Sequence, residues 1–466
     1  MNGNKRIVHL IVLTSVLFLS LISYLTYFQV FRATTIAENS FNPRHWARED
    51  TTLRGRIYDR NGLILADSDV EEGRPIRSYP HGRLYSHVIG YHNRQYGRTG
   101  IEFYYNEHLM DLLMERPVAR IRDRITGEMI QGNDLVLTID HELQQLAHQL
   151  LGNKNGSIVA LDPRNGEVLA MVSKPDYNPN TLVGDWNDLI IREDSPLLNR
   201  SIAGLYTPGS VYKILMAAKG VEEGLETNVY ESTSSIVVDG YTLSNYGETA
   251  HGEITLGEAL AVSANTSFAR LALELGEGSV TEISRRFLMG ERIPSDMPVN
   301  RSLYPYEGGL QDTELVAVSI GQGRLLVTPL HMAAMTSVFA NGGVMMAPHI
   351  VQEVQSPTGR VVLRPGGEVV TVVSAEVAET VKEMMISVVE QGTGRNAGVQ
   401  GVSVAGKTGT AENVTGKSHA WFVGFAPAEA PQIVVAVILE SEGQTGGAAA
   451  APIARDLIGR GIQGGN

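Results

Sequence analysis

Ser210 and Lys213 are the residues of this chain best placed to do chemistry together. Thr207 to Lys219 runs TPGSVYKILMAAK. Pro208 and Gly209 punctuate the chain, and Val211, Tyr212, Ile214, Leu215 and Met216 predict a helix buried on nearly every side. Ser210 stands at its start and Lys213 one turn later, so both project from one face. A serine hydroxyl is a poor nucleophile until a base takes its proton. A lysine serves as that base only where burial or neighbouring positive charge lowers its pKa. Lys213 lies in an apolar helix, and Lys407 is the second lysine expected to face it. Ser-x-x-Lys alone is weak, since about one is expected by chance in a chain of ordinary composition. Two later motifs change its weight: Ser263-Ala264-Asn265, in a predicted helical segment after His251-Gly252, and Lys407-Thr408-Gly409, closing a predicted strand that begins near Val402. Ser-x-Asn alone says little, for Ser40 to Asn42 also matches it, but Lys-Thr-Gly occurs once. Gly406 and Gly409 remove side chains where an extended peptide would lie against a sheet edge and be held by main-chain hydrogen bonds.

The elements that must position these groups are legible on both sides. Gly156 to Ser173 reads as strand, turn, strand, with Pro163, Asn165 and Gly166 in the turn. Val402 to Ala405, His419 to Phe425 and Gln432 to Glu440 are further β-rich runs, and Gly447 to Gly461 is a closing helix. Between these flanks lies a mainly helical stretch, about Tyr206 to Val389. This is an α+β domain whose sheet is built from both ends of the sequence. Upstream, Thr51 to Asp67 predicts a hairpin turning at Arg60, Asn61 and Gly62. Asp59 and the neighbouring arginines are expected to form an ion-pair network there. Residues 70 to 132 show no clear periodicity, and Asp134 to Leu151 gives a short strand and a helix N-capped by Asp140. The expected division is 1–6, a membrane span at 7–31, a pedestal at 32–150 and a catalytic domain at 151–466.

Composition narrows the function. The chain has 466 residues, is 43% hydrophobic and 19% charged, carries a formal net charge of -13 and has no cysteine. No basic face can neutralise a run of phosphates, so nucleic acid is not a partner. Thiol chemistry, disulfides and Cys-based zinc sites are excluded. Ile7 to Phe31 lacks carboxylates, lysine and arginine and is long enough for the ~30 Å hydrocarbon core. Lys5 and Arg6 precede it, which predicts a cytoplasmic N-terminus and an exported remainder, with Tyr24, Tyr27 and Phe28 at the outer interface. A cleaved signal peptide would carry a shorter apolar core and a small-x-small site, and neither is seen. Gly401 to Thr408, GVSVAGKT, satisfies a phosphate-loop pattern. Context excludes it: Val402 to Ala405 is a β-run and no helix follows. His141-Glu142 begins like a zinc helix, but Gln145 stands where the second ligand belongs. Gly392 to Gly398, GTGRNAG, is expected to be a hinge or cleft border.

The three motifs resemble, in order, spacing and setting, those of the penicillin-recognising serine transferases and hydrolases. RGRIYDRNGLILA, GRTGIEFYYNEHL, GNDLVLTIDHELQQLA, GSIVALDPRNGEVLAMVS, NRSIAGLYTPGSVYK, SIGQGRLLVTPLHMA and AGKTGTAE are similar to signatures of the class B penicillin-binding proteins. They span nearly all of the chain beyond the apolar segment. The short stretch before the reactive serine resembles the compact penicillin-binding protein A branch of the division and elongation transpeptidases. The resemblance implies a transmembrane helix, a small mostly β or irregular pedestal, and a transpeptidase domain with an antiparallel sheet and a helical subdomain. It implies Ser210 as acylated nucleophile, Lys213 as general base, Ser263 as proton relay and Asn265 as a clamp on the substrate peptide. Lys407 would keep Lys213 neutral. Thr408, Gly409 and Thr410 would form the substrate-binding run, with Lys407, Thr408 and Thr410 taking the donor's terminal carboxylate, and the Ser210 and Thr410 backbone N–H groups would form the oxyanion hole. No cofactor or metal is implied. The implied partners are peptidoglycan stem peptides, β-lactams as inhibitors, the cytoplasmic membrane, a polytopic glycosyltransferase and other division or elongation proteins. No glycosyltransferase domain fits between Arg32 and Leu135. A D,D-carboxypeptidase, a catalytically idle scaffold and a β-lactamase are the rival functions.

Overall fold

The computed structural model describes residues 2–31, 50–112, 129–413 and 416–463. Parts of the expected pedestal, residues 32–49 and 113–128, lie outside them. A helix runs Asn2–Phe31, and its Asn4–Gln29 portion is long and apolar enough to cross a membrane.

The catalytic sheet has five strands in the spatial order Val168–Lys174, Gly156–Leu161, Ile433–Leu439, His419–Ala426 and Ala405–Ala411. Every neighbouring pair is antiparallel. The sheet is thus built from both ends of the domain, as the sequence indicates. Alternating residues point to opposite faces of a strand, and here each face meets its own core. Val434, Ala436 and Ile438 join Trp421, Val423 and Phe425 in one core with the helix Pro329–Ala340 and the helical region. Ile433, Val435, Val437 and Leu439 join Phe422, Leu143, Ala147 and Leu457 in the other, against the helices His141–Leu151 and Gly446–Gln463. Burial on both faces explains why Ile433–Leu439 is apolar at every position.

The Asp140 cap is present, its side chain accepting from the Leu143 N–H. The Lys-Thr-Gly strand differs from expectation. It runs Ala405–Ala411, so the motif lies within the strand and not at its end. Its register against His419–Ala426 continues to Ala411 opposite His419, and ladder pairing carries the strand through the two glycines. The region 206–389 also holds paired strands that helical spacing did not announce, among them Val229–Ser232 with Gly252–Thr255 and Ser235–Val238 with Tyr241–Ser244.

Upstream, the hairpin at Asn61-Gly62 forms. Gly62 has φ 87, and Asp59 Oδ1 accepts from the Asn61 and Leu63 N–H groups at 2.9 and 2.7 Å. Asp59 therefore braces its own turn and does not serve an arginine network. The buried ion cluster centres instead on Glu102, whose carboxylate takes Arg54 Nε at 2.6 Å and Arg77 Nε at 2.7 Å. Burial opposes its ionisation, but Arg77 and Arg54 outweigh burial and bring the carboxyl down to about 2. This cluster flanks a six-stranded sheet ordered Val361–Leu363, Val351–Gln355, Asp134–Leu137, Ile57–Tyr58, Ile64–Glu71 and Arg74–Ser78. Two of its strands come from far downstream in the chain.

Glu102→Ala leaves two buried guanidinium groups without a counter-charge and is expected to cost about 3–5 kcal/mol. The denaturation midpoint of the detergent-solubilised full chain measures it. Because the folded carboxyl titrates near 2, its contribution is present at neutral pH and lost as pH falls through that value.

Candidate active site

Ser210 lies in a tight turn, Gly209–Tyr212, that continues into the helix Lys213–Glu222. Glycines let this turn press against two neighbours. Gly209 has φ 58 and donates its N–H to Gly321 O at 2.9 Å. A Cβ on Gly321 would stand 2.0 Å from Gly209 O. On the other side, a Cβ on Gly209 would come within 2.9 Å of Thr410 O, and one on Gly409 within 3.0 Å of Pro208 O. The backbones on either side of Ser210 and Thr410 are therefore in contact. Two glycines of this strand serve internal packing: Gly409 admits the Gly209–Tyr212 turn, and Gly406 admits the Phe422 ring, whose Cζ would lie 2.5 Å from an added Cβ.

The second motif is a break between helices. Leu256–Val262 begins with a Thr255–Glu258 capping box and ends at Ser263, whose φ of 61 is left-handed. Ala264 is extended, and a new helix starts at Asn265. A non-glycine residue in this conformation costs about 1–2 kcal/mol, so the expected continuous helix is broken for a reason. The break delivers three oxygens to one amine. Lys213 Nζ donates to Ser263 O at 2.8 Å and Asn265 Oδ1 at 2.7 Å and lies 3.3 Å from Ser263 Oγ. Asn265 is oriented in turn by Nδ2 donating to Ser244 O at 2.8 Å.

Lys407 enters from the strand, its Nζ 2.9 Å from Ser263 Oγ and 3.1 Å from Thr408 O. Both lysines are fully buried. Burial, and after it the charge of Lys407, hold Lys213 well below the usual lysine range. Burial alone pushes Lys407 down to about 7. The Phe268 ring lies 5.3 Å from Lys213 Nζ and favours the cation by about 1 kcal/mol, less than the several kcal/mol of desolvation.

Ser210, Lys213, Ser263, Asn265, Lys407, Thr408, Gly409 and Thr410 are thus brought to one cleft between the sheet edge and the helical region. Ser210 is half-buried. Ala405 to Thr408 pairs with Phe425 to Phe422 as strand, which leaves no phosphate-cradling loop there. Thr393 and Gly446 also belong to the site. Thr393 Oγ1 is 2.6 Å from Thr408 Oγ1, and the Gly446 N–H donates to Thr410 Oγ1 at 3.3 Å. Only the glycine-rich signal of residues 392–398 pointed toward either.

The penicillin binding protein transpeptidase domain family matches residues 156–459, and the penicillin binding protein A dimerisation domain matches residues 54–135. The chain belongs to the penicillin-binding protein transpeptidase family. Its relatives include the peptidoglycan D,D-transpeptidase PbpA of Mycobacterium tuberculosis, 32% identical with all of both chains covered. The peptidoglycan D,D-transpeptidase MrdA of Acinetobacter baumannii is 33% identical over 81% of this chain and 65% of its own. Among solved structures, penicillin-binding protein A of M. tuberculosis as its ceftriaxone acyl-enzyme complex superposes with a TM-score of 0.82 at 31% identity, covering 89% of this chain and 99% of that one.

Gly321→Ala places a methyl against the Gly209 carbonyl at φ 73. We expect it to lower stability by more than about 1 kcal/mol and to slow covalent labelling by penicillin at least about tenfold. Melting temperature and intact-mass kinetics measure the two effects.

Proposed function

We propose that the chain is a serine-type peptidoglycan D,D-transpeptidase in which Ser210 is the nucleophile and Lys213 its general base. The observation that carries this is the set of acceptors around Lys213 Nζ. A neutral amine has two N–H donors and one lone pair. Ser263 O and Asn265 Oδ1 occupy the two donors, which leaves the lone pair for the Ser210 proton. Removing that proton lets Ser210 attack the penultimate D-alanine carbonyl of a stem peptide ending in D-Ala-D-Ala. The Ser210 and Thr410 N–H groups stabilise the oxyanion. The C–N bond then breaks, the proton returns through Lys213 and Ser263 to the departing D-alanine, and the serine ester remains. An amine of a neighbouring stem peptide attacks the ester, the bond from the carbonyl carbon to Ser210 Oγ breaks, and the amine's proton passes through Lys213 to Ser210 Oγ, which closes the cross-link and restores the free serine.

Ser263 is suited to relay. A hydroxyl can accept one hydrogen bond while donating another: Ser263 Oγ accepts from Lys407 Nζ at 2.9 Å and lies 3.3 Å from Lys213 Nζ, so its own proton can pass to and from that amine. Lys407 acts through charge and through Ser263, while Thr408, Gly409 and Thr410 hold the donor end, with the two threonine hydroxyls on its carboxylate. Asn265 holds the substrate's peptide. The acyl-enzyme complexes of the M. tuberculosis relative with ceftriaxone and penicillin G support the same step with β-lactams here. The helix Asn2–Phe31 fits an anchor at 7–31 in the cytoplasmic membrane, with residues 32–150 as an external pedestal and 151–466 as the transpeptidase domain. A polytopic glycosyltransferase and other division or elongation proteins are the expected neighbours.

Fluorescent penicillin is expected to label the full chain in detergent and not Ser210→Ala, read by gel and intact mass; absence of label on folded wild type would refute the assignment. Lys213→Met is expected to lower the acylation rate about 10²–10⁴-fold.

Acylation needs neutral Lys213, so its rate rises with pH as that amine loses its proton. Lys407→Gln removes one of the two causes that lower the Lys213 pKa. The acid limb of the rate profile is therefore expected to move to higher pH, and a limb that stays or moves lower contradicts the charge role.

A further inference from the structure

We propose that Thr393 is a positioning residue for the donor carboxylate: its hydroxyl donates to Thr408 Oγ1 and so turns the Thr408 proton toward the substrate's anion. This rests on the proposal above that Thr408 contacts that carboxylate. The two hydroxyl oxygens are 2.6 Å apart, and either can be the donor in the free protein. A carboxylate removes the choice, because it only accepts. Thr408 has one proton. If that proton went to Thr393, Thr408 would present a lone pair to the anion and repel it. The arrangement that binds runs from Thr393 to Thr408 to carboxylate. Each hydrogen bond in such a chain polarises the next, and the last is charge-assisted and about twice as strong as a neutral one.

An exposed threonine holds such an alignment only if its backbone is fixed, and this one is. The Thr393 N–H donates to Ala261 O at 3.1 Å. A Cβ on the preceding Gly392 would lie 2.1 Å from Ala261 O, and one on Gly447 would lie 2.4 Å from Thr393 O. Asn396 Nδ2 donates to Gly447 O at 2.8 Å. The loop is therefore wedged between the helix that ends at Ser263 and the start of the helix Gly446–Gln463, with Thr408 between them. Thr408 is buried and Thr393 is exposed, so the hydroxyl contact joins the surface loop to the buried strand residue.

The test compares acylation by penicillin G with acylation by its methyl ester, which lacks the anion. It uses the full chain in detergent and second-order rates from intact mass. Thr393→Val, nearly isosteric at an exposed site, is expected to slow the acid about tenfold and to change the ester less than about twofold; Thr393→Ser restores the acid rate. Thr393→Ala replaces the valine variant should that one not fold. Equal losses on acid and ester, or no loss on either, overturn the inference. Thr408→Val separates the two levels. If it shows the selective loss and Thr393→Val does not, Thr408 binds the carboxylate without help and only this inference fails. If neither shows it, the carboxylate assignment fails and takes the inference with it.

Discussion

Two lysine amines buried against one serine hydroxyl are the constraint around which the domain is organised. Each buried ammonium loses several kcal/mol of solvation, and two of them repel. The pair persists in a folded chain because deprotonation is available and because five oxygen contacts surround it. Desolvation is usually counted against a fold. In the proposed mechanism it is the source of reactivity, since a lysine that kept its ordinary pKa would hold its proton and leave Ser210 inert.

The amines come from distant parts of the chain, and the scaffold has to meet their geometry from three directions. A helix start presents Lys213, an interhelical break presents Ser263 and Asn265, and an edge strand presents Lys407. What lets these surfaces close is the absence of side chains at the contacts. Gly209 meets Gly321 and Thr410, Gly392 meets Ala261, and Gly446 meets the Trp421 and Gly409 carbonyls. Bulk at these contacts would separate the elements and return water to the amines. Water would raise their pKa values, so glycine spacing and lysine chemistry are one property seen at two scales.

This explains what was legible in the sequence. Ser210, Lys213 and Lys407 announce themselves because a nucleophile and a base need particular residue types. The sheet announces itself because apolar β-runs at 156–161, 168–173, 419–425 and 432–440 are set off by polar or proline-bearing turns. The left-handed Ser263 was hidden, since it is set by tertiary contacts with Lys213 and not by local propensity. The strand through Lys-Thr-Gly was placed too early because glycines at 406 and 409 read locally as a strand's end, while ladder pairing to Trp421 and Phe422 overrides them. Thr393 was hidden for a similar reason: a hydroxyl in a glycine-rich loop has no period, and its partner is 15 residues away.

The pedestal is joined to the catalytic region through main chain and not through side-chain contacts alone. Strands Val351–Gln355 and Val361–Leu363 follow the helix Pro329–Ala340 yet complete the sheet of residues 57–78. Asp296 reinforces the junction: its carboxylate accepts from the Ile350 and Val351 N–H groups at 3.0 and 2.9 Å and from Tyr105 Oη at 3.2 Å. Arg60 reaches Glu167, in the turn between strands Gly156–Leu161 and Val168–Lys174, at 3.1 Å. A shared sheet resists bending more than a loop contact does, since displacing one strand breaks several ladder bonds at once. The segment between helix 329–340 and helix Ala375–Glu390 thus supplies two strands to that sheet, and helix Ala375–Glu390 packs on the helix Lys213–Glu222. The scaffold that buries the lysines and the N-terminal sheet are therefore parts of one continuous packing arrangement.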